Sequence, residues 1–142
     1  MNQSGLNLLK SFIFFLLFFS LSCDEINKSP VPYVSVNLII NLNIVNELNV
    51  PGNSVYFANA GYRGVIVCCE YPGSYYAFDA ACTNDINSDC RVRNEGMIGE
   101  CPCCGSRFIL LNNGYPGDGP ATIPLKQYNV SVINSFELRV YN

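Results

Sequence analysis

Five of the eight cysteines in this chain fall between Cys82 and Cys104, in a sequence of 142 residues with no histidine at all. Such crowding points to one local site, cross-linked or metal-bound, and not to a framework spread through a domain. The run Cys101-Pro102-Cys103-Cys104-Gly105 sets two thiols at C-x-x-C spacing on a tight turn. That turn aims two sulfurs at one point and backbone N–H groups at the sulfurs, as a thiolate pair holding a metal requires. One such knuckle is half of a tetrahedral site. The other half has to come from Cys82, Cys90 or Cys103, with Cys68 and Cys69 less well placed.

The N-terminal segment must be set aside before a fold is counted. Lys10 is followed by an apolar run from Ser11 to Leu21, short for a bilayer span, which takes about 20 residues, but of the length of a signal-peptide core. It ends in Ser20-Leu21-Ser22-Cys23, which resembles a bacterial lipobox, with Ser20 where leucine is usual. Residues 1–22 are therefore expected to be a lipoprotein signal peptide. Cys23 is expected to be lipidated, and 23–32 to be a tether. Removing the leader takes one of the 8 basic residues against 11 acidic ones, moving the net charge from −3 to about −4. With so little basic charge and no basic run, nucleic-acid binding is excluded as a class. Membrane contact is expected through the lipid alone, and the location is the cell envelope, on the periplasmic side of the inner membrane or on the outer membrane.

Residues 33–142 read as one small all-β domain, an antiparallel sandwich or barrel of short strands. Val34, Val36, Leu38, Ile40, Leu42 and Ile44 alternate with polar residues and predict a half-buried strand over those eleven positions. Strands are predicted at Ser54–Asn59, Gly64–Glu70, Tyr75–Asp79, Met97–Glu100, Arg107–Leu111, Lys126–Ile133 and Phe136–Tyr141, with Phe136, Leu138 and Val140 facing inward. Pro72-Gly73 and Asn112-Asn113-Gly114 are turn signals. Gly117–Pro124 is expected to be irregular. Asp79, Asp85 and Asp89 read as polar loop surface near Cys82. Cys68 and Cys69 point to opposite strand faces and are expected to be buried as small apolar side chains. No amphipathic helix is predicted, which argues against a thiol oxidoreductase, whose C-x-x-C pair normally sits at a helix N-terminus.

The run Cys101-Pro102-Cys103-Cys104-Gly105-Ser106-Arg107-Phe108 resembles the second cluster-binding loop of Rieske iron–sulfur proteins, with cysteine at the position of a histidine ligand. Ala81-Cys82-Thr83-Asn84 is similar to their first loop, with Asn84 in place of the other histidine. Gly119-Pro120-Ala121, followed by Pro124-Leu125 and Tyr128, resembles their proline loop. The resemblance covers nearly all of 33–142. It implies a Rieske-like fold with a cluster-binding subdomain near 80–121, a 2Fe-2S cofactor, and Cys82 and Cys101 as ligands of the inner iron. It further implies that Ser106 hydrogen-bonds a cluster sulfur and that Cys103 forms a disulfide with Cys90.

A Rieske centre needs two imidazoles on its outer iron, and this sequence has none. Three readings of the site follow. The first is a 2Fe-2S centre on Cys82, Cys101, Cys104 and a fourth group such as Cys90 or Asn84. The second is a structural zinc on Cys82, Cys90, Cys101 and Cys104. The third is disulfides alone, such as Cys90–Cys103 or Cys82–Cys101, with no metal. The leader carries no twin arginine, so export is expected to precede metal loading. In function the chain is expected to be an electron-transfer module with a redox partner protein and not itself an enzyme. The alternative is a structural or interaction lipoprotein.

Overall fold

The computed structural model describes residues 28–142, so the expected signal peptide, the lipidation site Cys23 and the start of the tether lie outside the described residues. Ten strands follow in order: β1 Asn37–Asn41, β2 Ser54–Phe57, β3 Val65–Tyr71, β4 Ser74–Asp79, β5 Arg93–Glu95, β6 Ile98–Glu100, β7 Arg107–Ile109, β8 Tyr115–Asp118, β9 Gln127–Asn134 and β10 Glu137–Tyr141. A four-residue 3-10 helix at Asn46–Asn49 is the only helix among the described residues. Every strand pairing is antiparallel. The strands form a six-stranded sheet in the order β1-β10-β9-β4-β3-β2 and a four-stranded sheet in the order β5-β6-β7-β8. The expected all-β antiparallel architecture is the observed one.

The β3–β4 hairpin is the middle layer. From Val65 to Cys69 its first strand is apolar without a break and wholly buried, the pattern of a strand covered on both faces. Alternation then sorts its side chains into two cores. Val65 and Val67 join Val36, Ile40, Leu48, Ala77, Leu138 and Val140 inside the curl of the large sheet. Ile66 and Cys68 face the other way, with Phe78, Val92, Phe108 and Leu110, between the large sheet and the small one. Cys82 and Cys101 belong to this second core, and Cys104 packs against it.

Several local expectations are corrected. The predicted strand over 34–44 is regular only from Asn37 to Asn41, and Ile44 is 80% exposed. The Asn41 side chain accepts the Asn43 N–H at 2.9 Å, and its carbonyl accepts the Ile44 and Val45 N–H groups, which turns the chain out of the sheet. Phe136 is exposed because it lies in the turn between β9 and β10, one residue before β10 begins, where strand alternation no longer applies. Gly117 and Asp118, expected to be irregular, belong to edge strand β8. Pro116 is tolerated there because only one side of an edge strand is hydrogen-bonded.

Asp79 departs most from expectation. It is not loop surface but fully buried, at the end of β4. One carboxylate oxygen accepts the Tyr62 N–H at 2.6 Å and the Tyr128 O–H at 2.7 Å. The other accepts the Arg63 N–H at 3.1 Å and the Ala81 N–H at 2.9 Å. Gly61 permits this approach: its φ is +74°, and an added Cβ would lie 2.7 Å from the carboxylate. Burial, and then the hydrogen bond to this carboxylate, push the Tyr128 phenol far above its ordinary pKa. Hydrogen bonds to a charged group contribute about 1.5–3 kcal/mol, so Tyr128→Phe is expected to destabilise by that amount. Asp79→Asn, which sets an amide against N–H and O–H donors, is expected to cost on the order of 3 kcal/mol or more. Urea unfolding midpoints at unchanged slope check both.

Candidate metal centre

Three loops meet over the second core. The first leaves β4 through Ala80 and Ala81, carries Cys82, and returns at Arg91–Val92. It is closed by the Ala81–Arg91 bridge and by the Val92 N–H on the Ala80 carbonyl at 2.7 Å. The second joins β6 to β7. There the Gly105 N–H donates to the Cys101 carbonyl at 2.8 Å and the Cys101 N–H to the Ser106 carbonyl at 2.9 Å. These bonds fix the turn that carries Cys101 and Cys104. The third follows β8, and Gly119 lets it lie on the second. With φ at +87°, an added Cβ would sit 2.5 Å from the Ser106 Cα.

Each pair of loops has its own tie. Thr83 Oγ1 donates to the Ile123 carbonyl at 2.6 Å, joining first to third. The Ala121 N–H donates to Ser106 Oγ at 3.0 Å, joining third to second. A disulfide between Cys90 and Cys103 joins first to second. It spans 13 residues, and closing a loop of that length contributes about 3 kcal/mol in the chain-entropy account.

The sulfurs of Cys82, Cys101 and Cys104 all lie within 4.8 Å of one another. Cys82 and Cys101 are buried and Cys104 is half-buried. The Cys82 and Cys104 sulfurs are 3.6 Å apart. A tetrahedral ion with metal–sulfur bonds near 2.3 Å spaces its ligands about 3.8 Å apart, so this separation is close to one tetrahedral edge. Of the four metal ligands expected, Cys90 is therefore corrected: its sulfur is bonded to Cys103 and does not join the group. Asn84 is exposed, and it is its backbone N–H, with that of Asp85, that donates to the Cys82 sulfur. Cys68 lies in the second core and Cys69 on the opposite face of β3, both fully buried. Desolvation pushes the Cys68 thiol up to about 12.

The three thiols are not equivalent. Desolvation, offset in part by the Asn84 N–H, pushes Cys82 up to about 12. Burial also acts against a charge on Cys104. The Ser106 hydroxyl and N–H, and the thiols of Cys101 and Cys82, outweigh it and hold Cys104 below the ordinary thiol value. Ser106 Oγ is 3.2 Å from the Cys104 sulfur. Since it already accepts from Ala121, its proton is available to a Cys104 thiolate. Metal binding needs all three deprotonated, and the amide and hydroxyl donors around them favour that form. The group can hold a metal ion, but two imidazoles on an outer iron do not fit a chain without histidine. In the metal-free protein Cys104 should react with iodoacetamide before Cys82 or Cys68, because its thiolate fraction is higher at any pH below its pKa. Ser106→Ala should raise the Cys104 pKa and slow that reaction, as mass mapping across a pH series will show.

No protein-family model matches the sequence, and no curated protein does. Solved structures do match. The chain is similar to one in the complex of reduced oxygenase and oxidized ferredoxin in carbazole 1,9a-dioxygenase, at 26% identity and a TM-score of 0.52, over 75% of this chain and 93% of that one. It is also similar to the ferredoxin of carbazole 1,9a-dioxygenase from Nocardioides aromaticivorans IC177, at 23% identity and a TM-score of 0.50, over 77% and 98% respectively. The second likeness is one of fold; the first extends to sequence. Taken with the two cysteine loops, the serine and the glycine–proline loop, it makes the chain a Rieske-like domain that lacks the histidine ligands.

Proposed function

We propose that this chain is an electron-transfer module of the cell envelope, anchored by a lipid on Cys23, with an iron centre held by Cys82, Cys101 and Cys104. The convergence of three reduced sulfurs carries the reading. The loops are already cross-linked by Cys90–Cys103, so these thiols are not needed as staples. In an oxidising compartment, two sulfurs 3.6 Å apart would pair unless a metal held them. The resemblance favours a 2Fe-2S centre, which supplies a one-electron couple. The chain's own residues do the rest. Burial of Cys82 and Cys101 excludes water, and Ser106 and the loop amides stabilise charge on sulfur. Pro102, Gly105, Gly119 and Pro120 form an exposed uncharged rim at which a partner can approach Cys104. The first structural neighbour, a ferredoxin in complex with an oxygenase, supports a redox partner protein over a small-molecule substrate.

The near-tetrahedral separation of Cys82 and Cys104 favours a second reading, in which one zinc ion occupies the group and the domain transfers no electron.

Anaerobic purification followed by visible spectroscopy and analysis for iron, zinc and sulfide tests the two against each other. About two irons and two sulfides per chain, with visible absorption, are expected. Colourless protein with zinc, or without metal, overturns the electron-transfer reading. Cys104→Ser should abolish metal retention while the Cys90–Cys103 disulfide persists by mass. Metabolic labelling with a radioactive fatty acid should mark the wild-type chain and be lost in Cys23→Ser; equal labelling of both removes the anchor.

A further inference from the structure

We infer that the thiol group supplies three protein ligands to a metal ion and leaves the fourth coordination position open beside Cys104, where a small soft donor from outside the chain, a thiol or comparable anion, completes it. This rests on the second reading above, in which Cys82, Cys101 and Cys104 hold a single metal ion, and adds what closes the shell.

The count of ligands comes first. Among the described residues no further cysteine or carboxylate reaches the group, and the chain has no histidine. The nearby cysteines, carboxylates and serine are committed elsewhere, and the Asn84 side chain is exposed. Cys90 and Cys103 are bonded to each other. Both Asp79 oxygens are taken by four donors. Asp85 accepts the Asn87 and Ser88 N–H groups at 3.2 and 3.3 Å, and Asp89 pairs with Arg63 at 3.1 Å. Ser106 Oγ accepts the Ala121 N–H and lies against the Cys104 sulfur, as a neighbour of the ligand and not as a ligand itself.

The position of the opening follows from burial. Cys82 and Cys101 are each 1% exposed and form the floor with Phe108 and Ala121. Cys104 alone of the three is half-buried, so the missing ligand's side is the solvent side. Three thiolates make a soft site. Structural zinc sites are closed by four protein ligands, whereas three protein ligands and an exchangeable position characterise sites that bind or transform a small molecule.

The test uses Co2+ as a spectroscopic ion, added anaerobically to the metal-free purified protein after mass analysis has verified the Cys90–Cys103 disulfide. The expected result is about one Co2+ per chain, with sulfur-to-cobalt charge-transfer intensity about three quarters of that of a tetrahedral four-thiolate site. Thiocyanate, which leaves disulfides intact, should then shift the visible ligand-field bands and saturate at about one per cobalt. Four-thiolate intensity, or a spectrum indifferent to thiocyanate, overturns the inference and leaves the single-ion reading standing. Failure of the protein to take up cobalt overturns the single-ion reading, and the inference with it.

Discussion

The buried carboxylate of Asp79 is the joint on which the rest of the architecture turns. An unpaired charge inside a protein is so costly that it survives only when hydrogen bonds replace its water. Here four donors do so, and they come from three places in the chain. Two are amides of the turn between β2 and β3, one is the Ala81 amide on the way to Cys82, and one is the Tyr128 hydroxyl on β9. None of these segments can shift without stranding the charge. The Asp79 N–H adds a bond to the Lys126 carbonyl at 2.8 Å, so the strand end and the approach to β9 are tied through backbone as well. Cys82 is three residues beyond this joint and inherits its position from it.

The second core does for Cys101 what Asp79 does for Cys82. Phe108 and Leu110, fully buried, hold β7 against the β3–β4 hairpin, and the Cys101–Ser106 turn is the cap on that strand. The loops themselves contain almost no regular structure, yet each pair is tied, by Thr83 to Ile123, Ser106 to Ala121 and Cys90 to Cys103. A hydroxyl, an amide and a disulfide thus perform what a metal does in a small domain that depends on one for folding. The thiol triad is organised by the protein's own ties, so the loops do not depend on an ion for their arrangement.

Much of this was legible in the sequence where local chemistry decides the outcome. The hairpin at Pro72-Gly73, the turn at Asn112-Asn113-Gly114, the alternation of Leu138 and Val140, and the knuckle at Cys101–Gly105 are written in adjacent residues. What was not legible depends on contacts between distant ones. Asp79 reads as loop surface because neither Tyr128 nor the amides at Tyr62 and Arg63 are near it in the chain; only a strand end beside a glycine-rich turn, Gly61 to Gly64, hinted at a buried acceptor. Cys90 reads equally well as a ligand or as half of a disulfide, since spacing alone does not say which sulfur its own reaches. Phe136 was misread because the turn between β9 and β10 takes it in, and alternation holds only within a paired strand.

The absence of histidine constrains the chemistry more tightly than the presence of cysteine. Imidazole ligands are neutral and raise the potential of a two-iron cluster to roughly −150 to +300 mV, against about −400 mV for all-thiolate plant-type ferredoxins. Each imidazole replaced by a thiolate adds negative charge that stabilises the oxidised metal, so an iron centre held by this triad would lie toward the low end. Hydrogen bonds to sulfur oppose that shift, and the site supplies them from Ser106, Asn84 and Asp85. Histidine is also the side chain whose ordinary pKa lies near neutrality. Without it, no imidazole can couple the loss of a proton to the loss of an electron here. The fold is like that of the ferredoxins, while a ligand set of thiols without imidazole would place any iron centre held here at low potential.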